Sequence, residues 1–200
     1  MNMLTQEQCY GITNFEQIQE SFKNHEAVFD FNLNQLTFKE PETTNWYIKY
    51  SIINDRYLVV IGDLGDAIYH WNDKITFGWI SGLNLDYFAG KCQASEEGRG
   101  FKVWSSEKAK ETLKWHIDQC VKDDPDKEKP DEELISRAKS ATESQEEWCN
   151  FLASEDWELF GDDLWEYTGI GMVVAQRCAI HLMGLKVIYH KYFDEHGDRR

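Results

Sequence analysis

The chain has 200 residues, 42% of them hydrophobic and 14% aromatic, which is enough to bury a core and excludes global disorder. Against 21 Lys and Arg stand 36 Asp and Glu, a net charge of -15. That balance argues against a protein that wraps a nucleic-acid backbone or lies on anionic lipid, because both need a positive surface.

Thr13 to Asn24 reads as a first helix. Phe15, Ile18 and Phe22 recur at helical spacing, and Thr13 with Glu16 has the spacing of a capping box. Ala27 to Phe31 and Gln35 to Phe38 are strand-like runs on either side of Asn32, Leu33 and Asn34, a hairpin arrangement. Trp46, Ile48, Tyr50 and Ile52 alternate with Tyr47, Lys49 and Ser51, as a half-buried strand does. Asn54, Asp55 and Arg56 form a turn, and the apolar run Tyr57 to Ile61 predicts a central strand. Gly62 to Asp66 makes a second tight connection, from which Ala67 to Trp71 returns as a further strand. The expected fold is therefore α+β, with an antiparallel sheet of about five strands in the N-terminal half covered by helices from the C-terminal half.

The period changes after Leu83. Leu85, Phe88, Ala89 and Cys92 fit a short helix capped by Asn84, and Glu96 to Gly100 is a link. Ser105 or Ser106 opens another helix, with Ala109, Leu113 and Ile117 on one face and Trp115 on a different one. The charged loop Asp123 to Pro130 holds two of the three prolines and marks the expected boundary. Residues 1–122 form the α+β domain, and 123–200 an acidic helical region that packs on it without being an independent domain. Pro130 starts the next helix, whose positive end suits Asp131, Glu132 and Glu133, with Leu134, Ala138, Ala141, Gln145 and Trp148 along one face. An acidic helix or loop runs through Gly161, a long apolar helix extends from near Gly169 to about Tyr192, and Asp194 to Arg200 fray. The apolar segment Ile170 to Ile188 is long enough to span a membrane, but Gln176, Arg177, His181 and Lys186 interrupt it, so it reads as a buried helix. Met1 to Tyr10 lacks the features of a signal peptide, and the five cysteines form no C-x-x-C pair. A cytoplasmic protein with free thiols is expected.

Chemistry leaves few traces. None of the six histidines sits in an H-x-x-x-H or H-E-x-x-H pattern, so no metal site and no cofactor are expected. Asp63 and Asp66, with His70 at a strand end, are the nearest approach to a catalytic or cation-binding rim, although aspartates between glycines are common in tight turns. Gly62 and Gly65 lead into a strand instead of a helix, which removes the phosphate cradle of a nucleotide fold. Cys178 and His181 share a helical face but lack an orienting third group, so core packing is the expectation and no catalytic residue is assigned. Trp46, Tyr47, Tyr50, Tyr57, Tyr69, Trp71, Phe77 and Trp79 have too few cations among them for a stacking platform, which excludes direct nucleic-acid binding and assigns these rings to the core.

The acids are unevenly distributed. Residues 140–168 hold nine carboxylates and no Lys or Arg, interleaved with Trp148, Phe151, Trp157 and other large apolar side chains. Such a surface is either an ordinary solvated face that keeps the protein soluble or one that steers a basic partner by charge and anchors it on a few desolvated rings. The candidate interaction residues are Glu146, Glu147, Glu155, Asp156, Asp162 and Asp163, with Trp157 as the anchor.

The run Tyr57-Leu-Val-Val-Ile-Gly-Asp-Leu-Gly-Asp-Ala-Ile-Tyr-His-Trp71, followed by Leu85-Asp-Tyr-Phe-Ala-Gly-Lys-Cys92, resembles small bacteriophage and prophage proteins that have no established activity. The likeness covers about residues 45–100 and carries no catalytic residue with it. It implies a phage-encoded protein in the host cytoplasm that inhibits a host-defence or nucleic-acid enzyme, in the manner of an anti-CRISPR protein. Together with the acidic segment this gives the leading expectation: a non-enzymatic protein that binds a basic host protein or nucleoprotein complex. Two alternatives stand beside it. One is a small metal-dependent hydrolase or ligand-binding protein using Asp63, Asp66 and His70. The other is a structural or assembly protein whose apolar helix forms a homo-oligomer interface.

Overall fold

The computed structural model describes residues 4–30, 34–43, 46–96, 101–123, 131–154 and 164–193. Helix α1 is Phe15–Ser21, shorter than its apolar spacing suggests. Thr13 does not cap it. Asn14 occupies the cap position in a left-handed conformation, with no side-chain bond to the first turn. Strands β1 (Glu26–Asp30), β2 (Gln35–Lys39), β3 (Ile48–Ile53), β4 (Tyr57–Gly62) and β5 (Ala67–His70) follow. After them come the short helices α2 (Phe77–Ser81) and α3 (Leu85–Ala89), then strand β6 (Cys92–Ser95).

The six strands form one antiparallel sheet in sequential order, β1 to β6. The α+β expectation is met, with one strand more than the pattern showed. Cys92 lies in that extra strand and not in the preceding helix, which ends at Gly90. Between β3 and β4 the chain turns through Asn54 and Asp55, both at positive φ (52° and 56°), the backbone that matches a tight hairpin to strand twist. Trp46 does not continue the alternation of β3. It adopts a left-handed conformation and is 63% exposed.

Register sorts the side chains. Leu36, Tyr50, Val60 and Ala67 lie opposite one another across four strands on the inner face, as do Ile52, Leu58, Tyr69 and Cys92. All eight are buried. A fully buried Leu, Ile or Val contributes about 1.5–3 kcal/mol by leaving water, so this face dominates the stability of the sheet. Helix α7 (Gln176–Tyr192) packs against it. The Tyr50 hydroxyl donates to the His181 carbonyl at 2.9 Å, and Gly184 lies against Tyr50 and Ile48. A helix apolar around its circumference must be buried on most sides, and α7 is buried at Cys178 and Ala179 and then without interruption from His181 to Ile188. The long apolar helix is thus confirmed as a core element, although it starts at Gln176 because Met172–Val174 forms a strand, β8. Among the described residues, no helix is long and apolar enough to cross a membrane.

By its internal contacts the chain divides into two units, Met1–Lys102 with Val174–Arg200, and Val103–Val173. The expected boundary near residue 123 falls inside the second of these. That second unit is inserted between two segments of the first. Strand β7 (Lys102–Trp104), by which the chain enters it, pairs with β8, by which it leaves. Within it are helices α4 (Ser106–Asp123), α5 (Glu132–Ala141) and α6 (Gln145–Ala153), then a 3₁₀ turn, Leu164–Tyr167. Ala109 and Leu113 from α4, Leu134 and Ala138 from α5, and Trp148 and Phe151 from α6 build a separate small core. Trp115 points away from it, as expected.

Two sequence expectations are revised in this unit. Helix α5 begins at Glu132 and is capped by Asp131, whose carboxylate accepts from Glu133 N; Pro130, expected at its start, lies outside the described residues. Leu134 and Trp148 do not share one helix, because the chain breaks at Thr142. Ser144 then opens α6 and accepts from Glu147 N at 3.1 Å, half of a capping box.

Candidate functional site

The acidity follows the division of the chain. The inserted unit, 71 residues, holds 19 Asp and Glu against 8 Lys and Arg, a balance of -11; the other 129 residues carry the remaining -4. Part of that charge is compensated within the unit, since Lys108 pairs with Glu111 and Lys110 with Glu143. Glu146 and Glu147 occupy the first turn of α6, where carboxylates are favoured by the helix dipole, and both side chains are exposed at that end. Glu147 also approaches the Ser144 hydroxyl at 3.2 Å, so it has a capping role as well. The other named interaction residues, Glu155, Asp156, Trp157, Asp162 and Asp163, lie outside the described residues.

Two of the described rings of this unit have structural duties. Trp148 is fully buried, donates from Nε1 to the Tyr167 carbonyl at 2.7 Å and stacks on Phe151. Trp104 donates to the Thr142 carbonyl at 2.9 Å, bridging the break between α5 and α6.

Asp63, Asp66 and His70 do not converge. The two aspartates lie in the β4–β5 turn, where Asp63 accepts from Trp46 N at 2.8 Å and Asp66 from Gly62 N at 3.0 Å. His70 lies at the far end of β5, paired across the strands with Tyr57 and stacked on its ring. Four residues of extended chain separate Asp66 from His70, about 13 Å at the rise of a strand. The carboxylates shape the turn, and the histidine covers a ring at the opposite rim. Among the described residues, no group of three His, Cys, Asp or Glu side chains is placed to hold a metal ion.

Cys178 and His181 do share a face of α7, and sequence reasoning missed the third member of their cluster, Tyr69. The Tyr69 hydroxyl lies 3.0 Å from His181 Nδ1 and 3.8 Å from Cys178 Sγ. His181 Nε2 lies 3.1 Å from the Leu64 carbonyl. A carbonyl only accepts, so Nε2 carries the proton and Nδ1 accepts from Tyr69. Both rings are fully buried, and the cluster ties the sheet and the Gly62–Asp66 turn to α7. Burial holds His181 down at about 4, against an ordinary value of 6.5. The unfolded chain therefore binds a proton between pH 6.5 and about 4 that the folded chain refuses, and stability falls as pH drops through that window. The expected loss is about 3 kcal/mol. Urea unfolding at pH 7 and pH 4.5 measures it, and in His181→Asn the loss over the same window should shrink markedly; an equal loss in both proteins would show that other groups carry it.

Lys186, three turns into α7, is the last of the four polar interruptions of the apolar run. It is 7% exposed, and its ammonium donates to the Ser81 carbonyl at 2.8 Å. It lines a cavity of about 330 Å³ whose wall includes Leu4, Glu7, Tyr10, Leu83 and Tyr189. Burial pulls the ammonium below its ordinary value while Cys9 opposes that shift, and burial likewise pushes the Cys9 thiol up.

In comparison with known proteins, no family model, no curated protein and no solved structure matches the chain.

Proposed function

We propose that this is a non-enzymatic interaction protein whose inserted acidic unit docks on a basic, nucleic-acid-handling host protein and inhibits it. One observation carries the proposal: 71 residues with a small core of their own hold -11 of the -15 charges. A solubilising charge has no reason to concentrate in one unit, whereas a docking surface does, because a local field of one sign raises the encounter rate with a partner of the other. The resemblance to bacteriophage proteins over about residues 45–100 supports the class of partner, a defence effector such as a CRISPR complex. In this reading Glu146, Glu147, Glu155, Asp156, Asp162 and Asp163 steer and imitate phosphates, and Trp157 anchors.

The test is affinity capture from a host extract with the full chain and with a variant in which Glu146, Glu147, Glu155 and Asp156 are each changed to Lys. At low salt the wild type should retain a protein with a basic nucleic-acid groove and lower its activity, and the variant should not. Equal retention and inhibition by both proteins would remove the acidic surface from the mechanism.

A further inference from the structure

Lys186 is an unusual occupant of a core helix. An ammonium has three N–H donors, and among the described residues only the Ser81 carbonyl accepts from this one. No carboxylate among them lies within ion-pairing distance of it. Burying a cation without a counter-charge costs several kcal/mol, and an apolar side chain at this position of α7 would avoid that cost. The lysine is nevertheless set in the wall of a cavity, with Leu4, Leu83, Tyr10 and Tyr189 supplying apolar and aromatic surface around it. This is the composition of a small-molecule site, an apolar and aromatic concavity with a few polar groups, Glu7 and His190 among them, and one buried cation to fix orientation.

We propose that the cavity binds a small aromatic monocarboxylate whose carboxylate pairs with the Lys186 ammonium. One cation balances one negative charge. Glu7, in the same wall, disfavours a dianion such as a phosphate monoester. The volume, about 330 Å³, is at the lower end for ligand sites and suits a ligand built on a single ring. Tyr10, 74% exposed, and Tyr189 are the aromatic rings of the cavity wall. The site lies wholly within the first unit and is independent of the acidic docking proposal.

The test uses isotope-labelled full-length protein and three probes, benzoate, benzyl alcohol and phenyl phosphate, followed by NMR. Benzoate should saturably shift the Lys186 ε-methylene resonance and the amides of Gly82, Leu83 and Asn84. Benzyl alcohol, which lacks the charge, and phenyl phosphate, which carries too much, should each bind at least about tenfold more weakly. Lys186→Met, close to lysine in shape, should weaken benzoate by about tenfold or more. The proposal is overturned by the absence of a saturable shift at Lys186 in the wild-type protein, by equal binding of the alcohol, or by tighter binding of the phosphate. Undiminished benzoate affinity in a folded Lys186→Met protein overturns it too. Should that variant not fold, the three-probe comparison on the wild type decides alone.

Discussion

Gly184→Ala is expected to destabilise the protein by about 3 kcal/mol, although alanine is the better helix former by about 1 kcal/mol. The reason is local. A Cβ at Gly184 would fall inside van der Waals contact with the Tyr50 hydroxyl and within 3.4 Å of Ile48 Cδ1, and the inner face of the sheet cannot retreat. Moving Tyr50 would also break its bond to the His181 carbonyl and leave a buried hydroxyl unpaired. Tyr50→Phe alone should cost about 1 kcal/mol, the net worth of one such bond. In that background the worst obstruction is gone, leaving the ring Cζ at 3.3 Å and Ile48 Cδ1 at 3.4 Å, and Gly184→Ala should cost much less than it does beside Tyr50. Chemical denaturation of the four proteins measures the coupling. Additive losses would mean that α7 does not approach the sheet at this point.

Trp148→Ala should cost about 4 kcal/mol, the usual range for deleting a fully buried aromatic ring, plus whatever follows from orphaning the Tyr167 carbonyl. The inserted unit has a small core, and Trp148 is the largest buried side chain among its described residues. The loss should therefore appear as faster amide exchange throughout α4, α5 and α6. Trp148→Phe keeps a ring against Phe151 and should lose markedly less. Unchanged exchange in Trp148→Ala would mean that these helices are held by something other than this core.

The sheet was largely legible because its signals are local. Ile48, Tyr50 and Ile52 alternate, Asn54 and Asp55 tolerate positive φ, and the strands follow one another as hairpins, so period and turn chemistry agree. Errors came where a local signal was outvoted. Trp46 continues the alternation, but its N–H is taken by Asp63 and its backbone turns away. Met172, Val173 and Val174 sit in a continuous apolar run, which does not by itself distinguish a strand from the start of a helix. Helix α2 is only five residues long and shows no period; its mark was the cap, Thr76, which accepts from Trp79 N. The break before α6 was also written in the sequence, as Ser144 with Glu147 three residues later, and was hidden by the apolar spacing that runs across it.

Sites were less legible than strands. Asp63, Asp66 and His70 are close in sequence, but a strand carries His70 to the other end of the hairpin. Tyr69 and His181 are 112 residues apart and meet only through the packing of α7 on the sheet. Lys186 read as an interruption of an apolar helix, and its cavity exists only once α2, the connection from α2 to α3, α7 and the N-terminal segment are assembled. Charge was legible in amount but not in extent: the acidic stretch at 140–168 proves to be part of a longer acidic unit that begins at Val103.

In the proposed function this unit engages its partner through charge. The most direct measurement of this is the affinity of the captured partner for the wild type and for the four-fold Lys variant as salt rises from about 0.1 M to about 1 M, over which the screening length falls from about 10 Å to about 3 Å. Wild-type affinity should fall steeply with salt, and the variant should bind weakly with a flattened dependence. A wild-type affinity indifferent to salt and matched by the variant would contradict it.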